Sequence, residues 1–156
     1  MSPELEDLYQ QVLLDHSKRP RNFGRIEEGA VHVHGDNPSC GDEIDLSVRF
    51  GPEHEVAEIK FTGQGCAICM ASASMMTMKL KGRSEAAATE LLNGFHALVT
   101  GDDGPPAKGL GDLQLMEGVR KFPQRVKCAM LAWRAFEQAL AAPGAEGAAV
   151  STETSE

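Results

Sequence analysis

"DEIDLSVRFGPEHEVAEIKFTGQG", running from Asp42 to Gly65, decides the fold. Ile44, Leu46, Val48 and Phe50 fall to one side, while Asp45, Ser47 and Arg49 fall to the other. A period of two sends successive side chains to opposite faces of a strand, so this is a strand with one buried face. The alternation returns at Ala57, Ile59 and Phe61, and the Gly-Pro-Glu-His-Glu between the two runs reads as a hairpin turn. Val31-His32-Val33-His34 supplies a third strand, ahead of a turn at Asn37-Pro38. Past Phe61 the pattern changes: Gly63 and Gly65 make a tight turn.

Helices dominate on either side of this core. "CAICMASASMMTMKLKG" (Cys66–Gly82) is rich in alanine, serine and methionine, which suits a closely packed helix ending at Gly82. Ser84 is placed to cap the next helix, whose apolar face is Leu91, Leu92, Phe95, Leu98 and Val99. Upstream, Ser2-Pro3 opens a helix carrying Leu5, Leu8, Tyr9, Val12 and Leu13, which ends in a basic loop from Asp15 to Asn22. "GDDGPP" at Gly101–Pro106 breaks the chain, and a short helix is expected over Leu113–Met116. Pro123 fits the first turn of a last helix that turns Val126, Met130, Trp133 and Leu140 to the core. Strands early and helices late predict an α+β domain: a small antiparallel sheet of about three strands with helices packed on one face. That domain spans 1–141. Residues 142–156 have no bulky side chain except Val150 and read as a disordered tail.

A formal net charge of −8 argues against a nucleic-acid partner, which needs a concentrated basic face. No apolar run reaches membrane-spanning length and no signal-peptide pattern opens the chain, so neither a membrane nor export is expected, and a cytoplasmic protein is. In that setting the four cysteines, Cys40, Cys66, Cys69 and Cys128, are expected as reduced thiols rather than disulfides.

Cys40 lies on the loop before a strand, Cys66 at the turn from strand to helix, and Cys128 near the start of the last helix. Thiols at element boundaries can converge on one point, and Asp42, two residues from Cys40, offers a fourth group. Three sulfurs and one oxygen suit four-coordinate Zn²⁺. The bland alternative is that Cys66 and Cys128 are buried small hydrophobes, since free cysteine packs well. Cys40, flanked by serine, glycine and aspartate, fits that alternative least.

"NPSCGDEI", "GQGCAICMASASMM" and "KFPQRVKCAMLAW" resemble, in order and spacing, the three signature blocks of the IscU/SufU (NifU N-terminal domain-like) family of iron–sulfur cluster assembly, and "DHSKRPRNFG" resembles its N-terminal loop. The resemblance covers about Leu5 to Leu140 and implies a SufE/NifU-like fold. Scaffold-type members carry histidine before the last cysteine. Lys127 stands there in this chain, and "GLGDLQLMEGVRKFP" resembles an insertion typical of the SufU branch. The resemblance therefore implies a zinc-dependent sulfurtransferase with Cys40, Asp42, Cys66 and Cys128 as zinc ligands. Cys40 would also accept persulfide sulfur from a SufS-type cysteine desulfurase, with a SufBCD-type cluster scaffold downstream. The alternative is a scaffold on which the same residues hold iron or a 2Fe–2S cluster.

Cys69 stands where the family usually has serine or another small residue; it reads as a packed helix residue, against a resolving thiol or alternative ligand. His32 and His34 share one strand face and read as solvated rather than ligating. Met70, Met75, Met76 and Met78 read as adaptable packing. Arg125, Lys127 and the loop Lys18-Arg19-Pro20-Arg21 are either solvated cations or contacts for the desulfurase.

Overall fold

A computed structural model describes residues 3–101, 109–141 and 148–151. Strands β1 (Val31–Asn37), β2 (Asp42–Phe50) and β3 (Val56–Gln64) form an antiparallel meander in which β2 is central. Ile44, Leu46 and Val48 are buried as the alternation requires. A register shift between Arg49 and Phe50 sets Phe50 opposite Val56, which is why Val56 rather than Ala57 is buried with Ile59 and Phe61.

Helices α1 (Pro3–Lys18), α2 (Ala67–Leu80), α3 (Glu85–Thr100) and α4 (Pro123–Ala141) complete the domain, with α4 packed against β1 and β2. Ser84 caps α3 by accepting from the Ala87 amide at 3.1 Å, and Gly101 ends it in the left-handed region at φ 80°. The expected short helix at Leu113–Met116 is longer: a 3-10 helix covers Gly111–Lys121 and buries Leu113, Met116 and Val119. This spacing of three is the period of a 3-10 helix and lines one edge of it.

Small residues on α2 let its neighbours approach closely. Ala71, Ser72, Ala73, Ser74, Met75, Met76 and Thr77 are all buried. Each buried hydroxyl has a partner. Ser72 Oγ donates to the Ala129 carbonyl at 2.7 Å and accepts from Trp133 Nε1 at 3.1 Å, which ties α2 to α4. Ser74 Oγ accepts from the Arg21 amide at 2.8 Å and pairs with His16 Nδ1 at 2.7 Å, which ties α2 to α1 and its loop. Phe95 stacks on Trp133 with centroids 4.6 Å apart. Met78 departs from its expected packing role: it is 53% exposed.

The break at "GDDGPP" falls mostly on residues 102–108, outside those described. The expected tail falls outside them at 142–147 and 152–156. Ala148–Ser151 depart from the expectation of disorder: they form β4, parallel to β1. Val33–Asp36 present backbone donors and acceptors at the free edge of β1, and a small-residue segment can pair there without needing a side-chain signal.

Candidate metal and thiol centre

The hairpin between β1 and β2 turns its two ends inward and its tip outward. Asn37 and Asp42 face each other across the ladder and are both buried, whereas Pro38, Ser39, Cys40 and Gly41 are exposed. Two turn bonds fold the tip, Cys40 amide to Asn37 carbonyl at 3.1 Å and Gly41 amide to Pro38 carbonyl at 3.3 Å. Gly41 takes φ 72°, a conformation that glycine enters without strain. Cys40 is thereby held out at the apex while Asp42 points back into the protein.

Asp42 meets the start of α2. Its Oδ1 accepts from the Cys66 amide at 2.9 Å, and its Oδ2 accepts from Asn37 Nδ2 at 3.3 Å. Gly65 makes the first contact possible: a Cβ there would lie 2.5 Å from Asp42 Oδ1. Cys66 is the N-cap of α2, its sulfur accepting from the Cys69 amide at 3.4 Å. Cys128 comes from α4 and is 3% exposed. One ligand atom from each of Cys40, Asp42 and Cys128 lies within 4.8 Å of the others.

Of the four expected ligands, those three form the compact group. Cys66 joins its margin, with its amide on Asp42 and its thiol near enough to Cys128 for each to shift the other's acidity. The Cys128 thiol, aided by the Cys69 amide and opposed by burial, pulls the Cys66 thiol down to about 7. Its partner pays the opposite way: the nearby Cys66, burial, and contact with Asp42 and Cys40 push the Cys128 thiol well above the ordinary range. Two thiols and a carboxylate crowded at this distance repel one another when ionised. A cation among them removes that repulsion, and thiolate with carboxylate is a donor set that suits Zn²⁺ or iron.

Cys69 is fully buried, and burial pushes its thiol well above the ordinary range, as for an inert packed cysteine. His32 and His34 are spent away from the thiols: His32 Nε2 pairs with the Ile26 carbonyl at 2.7 Å, and His34 Nδ1 with Asp45 Oδ1 at 2.8 Å. Arg19 and Arg21 both turn to Asp15, at 3.3 and 2.6 Å, so part of the basic loop is paired internally. Arg125 lies over the Phe122 ring at 4.5 Å. Between them in sequence, Gln124 donates from Nε2 to Cys40 Sγ at 3.3 Å. Sequence reasoning missed Asn37 and Gln124 as site residues. In sequence Asn37 reads only as a turn former, and nothing in the local pattern of "KFPQRVKC" points Gln124 across the fold.

An α+β domain with a cluster of thiols and a buried carboxylate, its one exposed cysteine on a hairpin tip, defines a class of thiol-bearing proteins able to hold a metal ion. The family described as NifU-like N terminal domain matches residues 8–143, and this chain belongs to it. It is similar to the iron–sulfur cluster assembly scaffold protein IscU of Streptococcus pyogenes serotype M1, with 44% identity over 88% of this chain and 85% of the relative. It is also similar to the zinc-dependent sulfurtransferase SufU of Bacillus subtilis strain 168, at 42% identity over 88% and 92% of the two chains. A crystal structure named as an iron–sulfur cluster assembly scaffold protein for the SUF system, from Fervidobacterium islandicum AW-1, superposes with a TM-score of 0.79 at 32% identity, covering 86% of this chain and 98% of that one. The protein therefore takes part in iron–sulfur cluster assembly.

Proposed function

We propose that the protein is a cytoplasmic, zinc-dependent sulfurtransferase that accepts persulfide sulfur from a SufS-type cysteine desulfurase on Cys40, for delivery to a SufBCD-type scaffold. One observation carries the reading: of the clustered groups, Cys40 is exposed while Asp42 and Cys128 are buried. The buried pair can keep hold of a metal while the exposed thiol leaves it. Asp42, Cys66, Cys128 and, at rest, Cys40 would hold the zinc, which when bound keeps thiolates deprotonated and adds no redox chemistry.

The transfer is an exchange between sulfurs. The Cys40 thiolate attacks the terminal sulfur of the donor's R–S–SH; the new Cys40–sulfur bond forms as the donor's S–S bond breaks. R–S⁻ leaves with the electron pair, and Cys40 carries –S–SH. No external oxidant or reductant is needed. Access decides the rate of such a step, and the hairpin tip supplies access. Arg125, next to Gln124, offers a cation that favours an anionic persulfide.

The name of the Streptococcus pyogenes relative supports a second reading, a scaffold holding an iron–sulfur cluster on the same thiols, since such clusters also favour cysteine ligands. Metal analysis of protein purified without oxygen separates the two: about one zinc per chain is expected. Iron with matching sulfide would establish the scaffold instead. Incubation with desulfurase and cysteine, followed by peptide mass spectrometry, is expected to place the added sulfur on Cys40.

A further inference from the structure

Asn37 is fully buried at the end of β1, and its side chain is divided unequally. The Nδ2 group donates to both Asp42 Oδ2, at 3.3 Å, and Cys128 Sγ, at 3.5 Å. The Oδ1 atom is buried with no hydrogen-bond partner among the described residues. A buried amide ordinarily satisfies both ends, and an orphaned acceptor calls for an explanation. Turning the amide over would bring Oδ1, an acceptor, against a carboxylate oxygen and a sulfur. The pose that keeps both donors on the cluster sacrifices the acceptor, and an apolar side chain of the same size would carry no such penalty. A fold that keeps the costly residue marks a place where something other than stability is being held.

Asn37 also bridges elements. Asp42 belongs to β2 and Cys128 to α4, and the Asn37 amide touches both. The Cys66 amide occupies Oδ1 of Asp42 and Asn37 occupies Oδ2, so the carboxylate is fixed from two sides and keeps lone pairs for a cation. Because the amide is neutral, it fixes the ligands without adding a charge that would compete with a metal or repel the anionic groups.

We infer that Asn37 is the positioning residue of the metal centre, setting the distance between the sheet-borne carboxylate and the helix-borne thiolate from outside the ligand set. This rests on the proposal that the cluster binds zinc. Groups that orient metal ligands in this way change affinity by about 10–100-fold when removed.

The test is zinc affinity, read by competition with a chromophoric chelator, in the full chain and in Asn37→Leu and Asn37→Ala, alongside thermal unfolding of the metal-free proteins. Both variants are expected to bind zinc about 10–100-fold more weakly, with metal-free Asn37→Leu melting close to the parent, because losing the orphaned acceptor offsets the donor that Asp42 Oδ2 gives up. Parent-like affinity in both variants overturns the inference and leaves the zinc reading standing. A parent chain that holds no zinc overturns both. Weaker zinc binding that tracks an equal loss of metal-free stability in both variants assigns Asn37 to the fold alone and also overturns it.

Discussion

At the scale of single residues, the centre assigns different work to chemically identical side chains. Cys40, Cys69 and Cys128 are all thiols, but only Cys40 is exposed. Cys40→Ala is therefore expected to keep zinc, because Asp42, Cys66 and Cys128 remain and water can complete the tetrahedron. It should carry no added sulfur after incubation with a desulfurase and cysteine, where the parent gains about one sulfur per chain. Sulfur found on Cys66 or Cys128 in the parent would sink the acceptor role. Cys69→Ser should keep both zinc and transfer, since Cys69 serves the Cys66 cap through its backbone amide rather than its thiol. Its cost is a buried hydroxyl, ~1–3 kcal/mol in a thermal melt; loss of transfer with zinc retained would instead make it a resolving thiol. The types and order of these residues were legible in the sequence because ligand chemistry restricts the choice to a few side chains. Asn37 and Gln124 were not, because an amide's role depends on which atoms reach it across the fold, and no periodicity encodes that.

Whole elements carry the geometry that individual residues then use. The closing turn of β3 must bring the amide of Cys66 onto Asp42, and Gly65 is where that approach is tightest, with its missing Cβ 3.1 Å from Asp42 Cα as well as close to Oδ1. Gly65→Ala is expected to displace the carboxylate and weaken zinc retention. The accompanying overpacking costs ~1–3 kcal/mol, so the protein should remain folded by circular dichroism. Full zinc affinity in that variant would show that Asp42 tolerates the shift. Away from the centre, Ser72 joins α2 to α4 through Ala129 and Trp133. Ser72→Ala leaves Trp133 Nε1 without its acceptor in the core and should cost ~2 kcal/mol, a fall of roughly 4–8 °C in melting temperature. The strands, the Ser84 cap and the Pro123 start could be read from sequence, because period two and capping chemistry are local signals. The length of the 3-10 helix and the pairing of β4 could not. The first depends on how Leu113, Met116 and Val119 meet α3 and α4, the second on a free strand edge elsewhere in the chain.

For the molecule as a whole, two histidines outside the thiol cluster set opposite pH dependences. His16 is buried, and burial, reinforced by the Arg21 guanidinium, holds its imidazole below the ordinary range while Nδ1 pairs with Ser74 Oγ. The folded protein thus resists taking a proton that the unfolded chain accepts near pH ~6.5. The contribution is whole above that pH and is lost as pH falls from there through the lower folded value. His34 behaves in reverse. Its hydrogen bond to Asp45 raises it above the ordinary range, so its contribution is whole below about pH 6.5 and lost as pH rises through the raised value. With a side chain 43% exposed, His34 is well screened by water, and its effect is the smaller one. His16 joins α1 to α2, the helix whose N-terminus presents Cys66, so protonating it loosens the support of the centre rather than the centre itself. His16→Gln, which keeps a neutral side chain able to hydrogen-bond Ser74, should melt lower than the parent at pH 7.5, where packing of the ring is lost, yet lose less stability than the parent between pH 6.5 and 5. Thermal melts across that range check it. An equally steep acid limb in the variant would place the titration elsewhere, and Asp15, whose carboxyl is held low chiefly by its hydrogen bond from Arg21, could not supply it, because its contribution is lost only as pH falls below the ordinary carboxylate range.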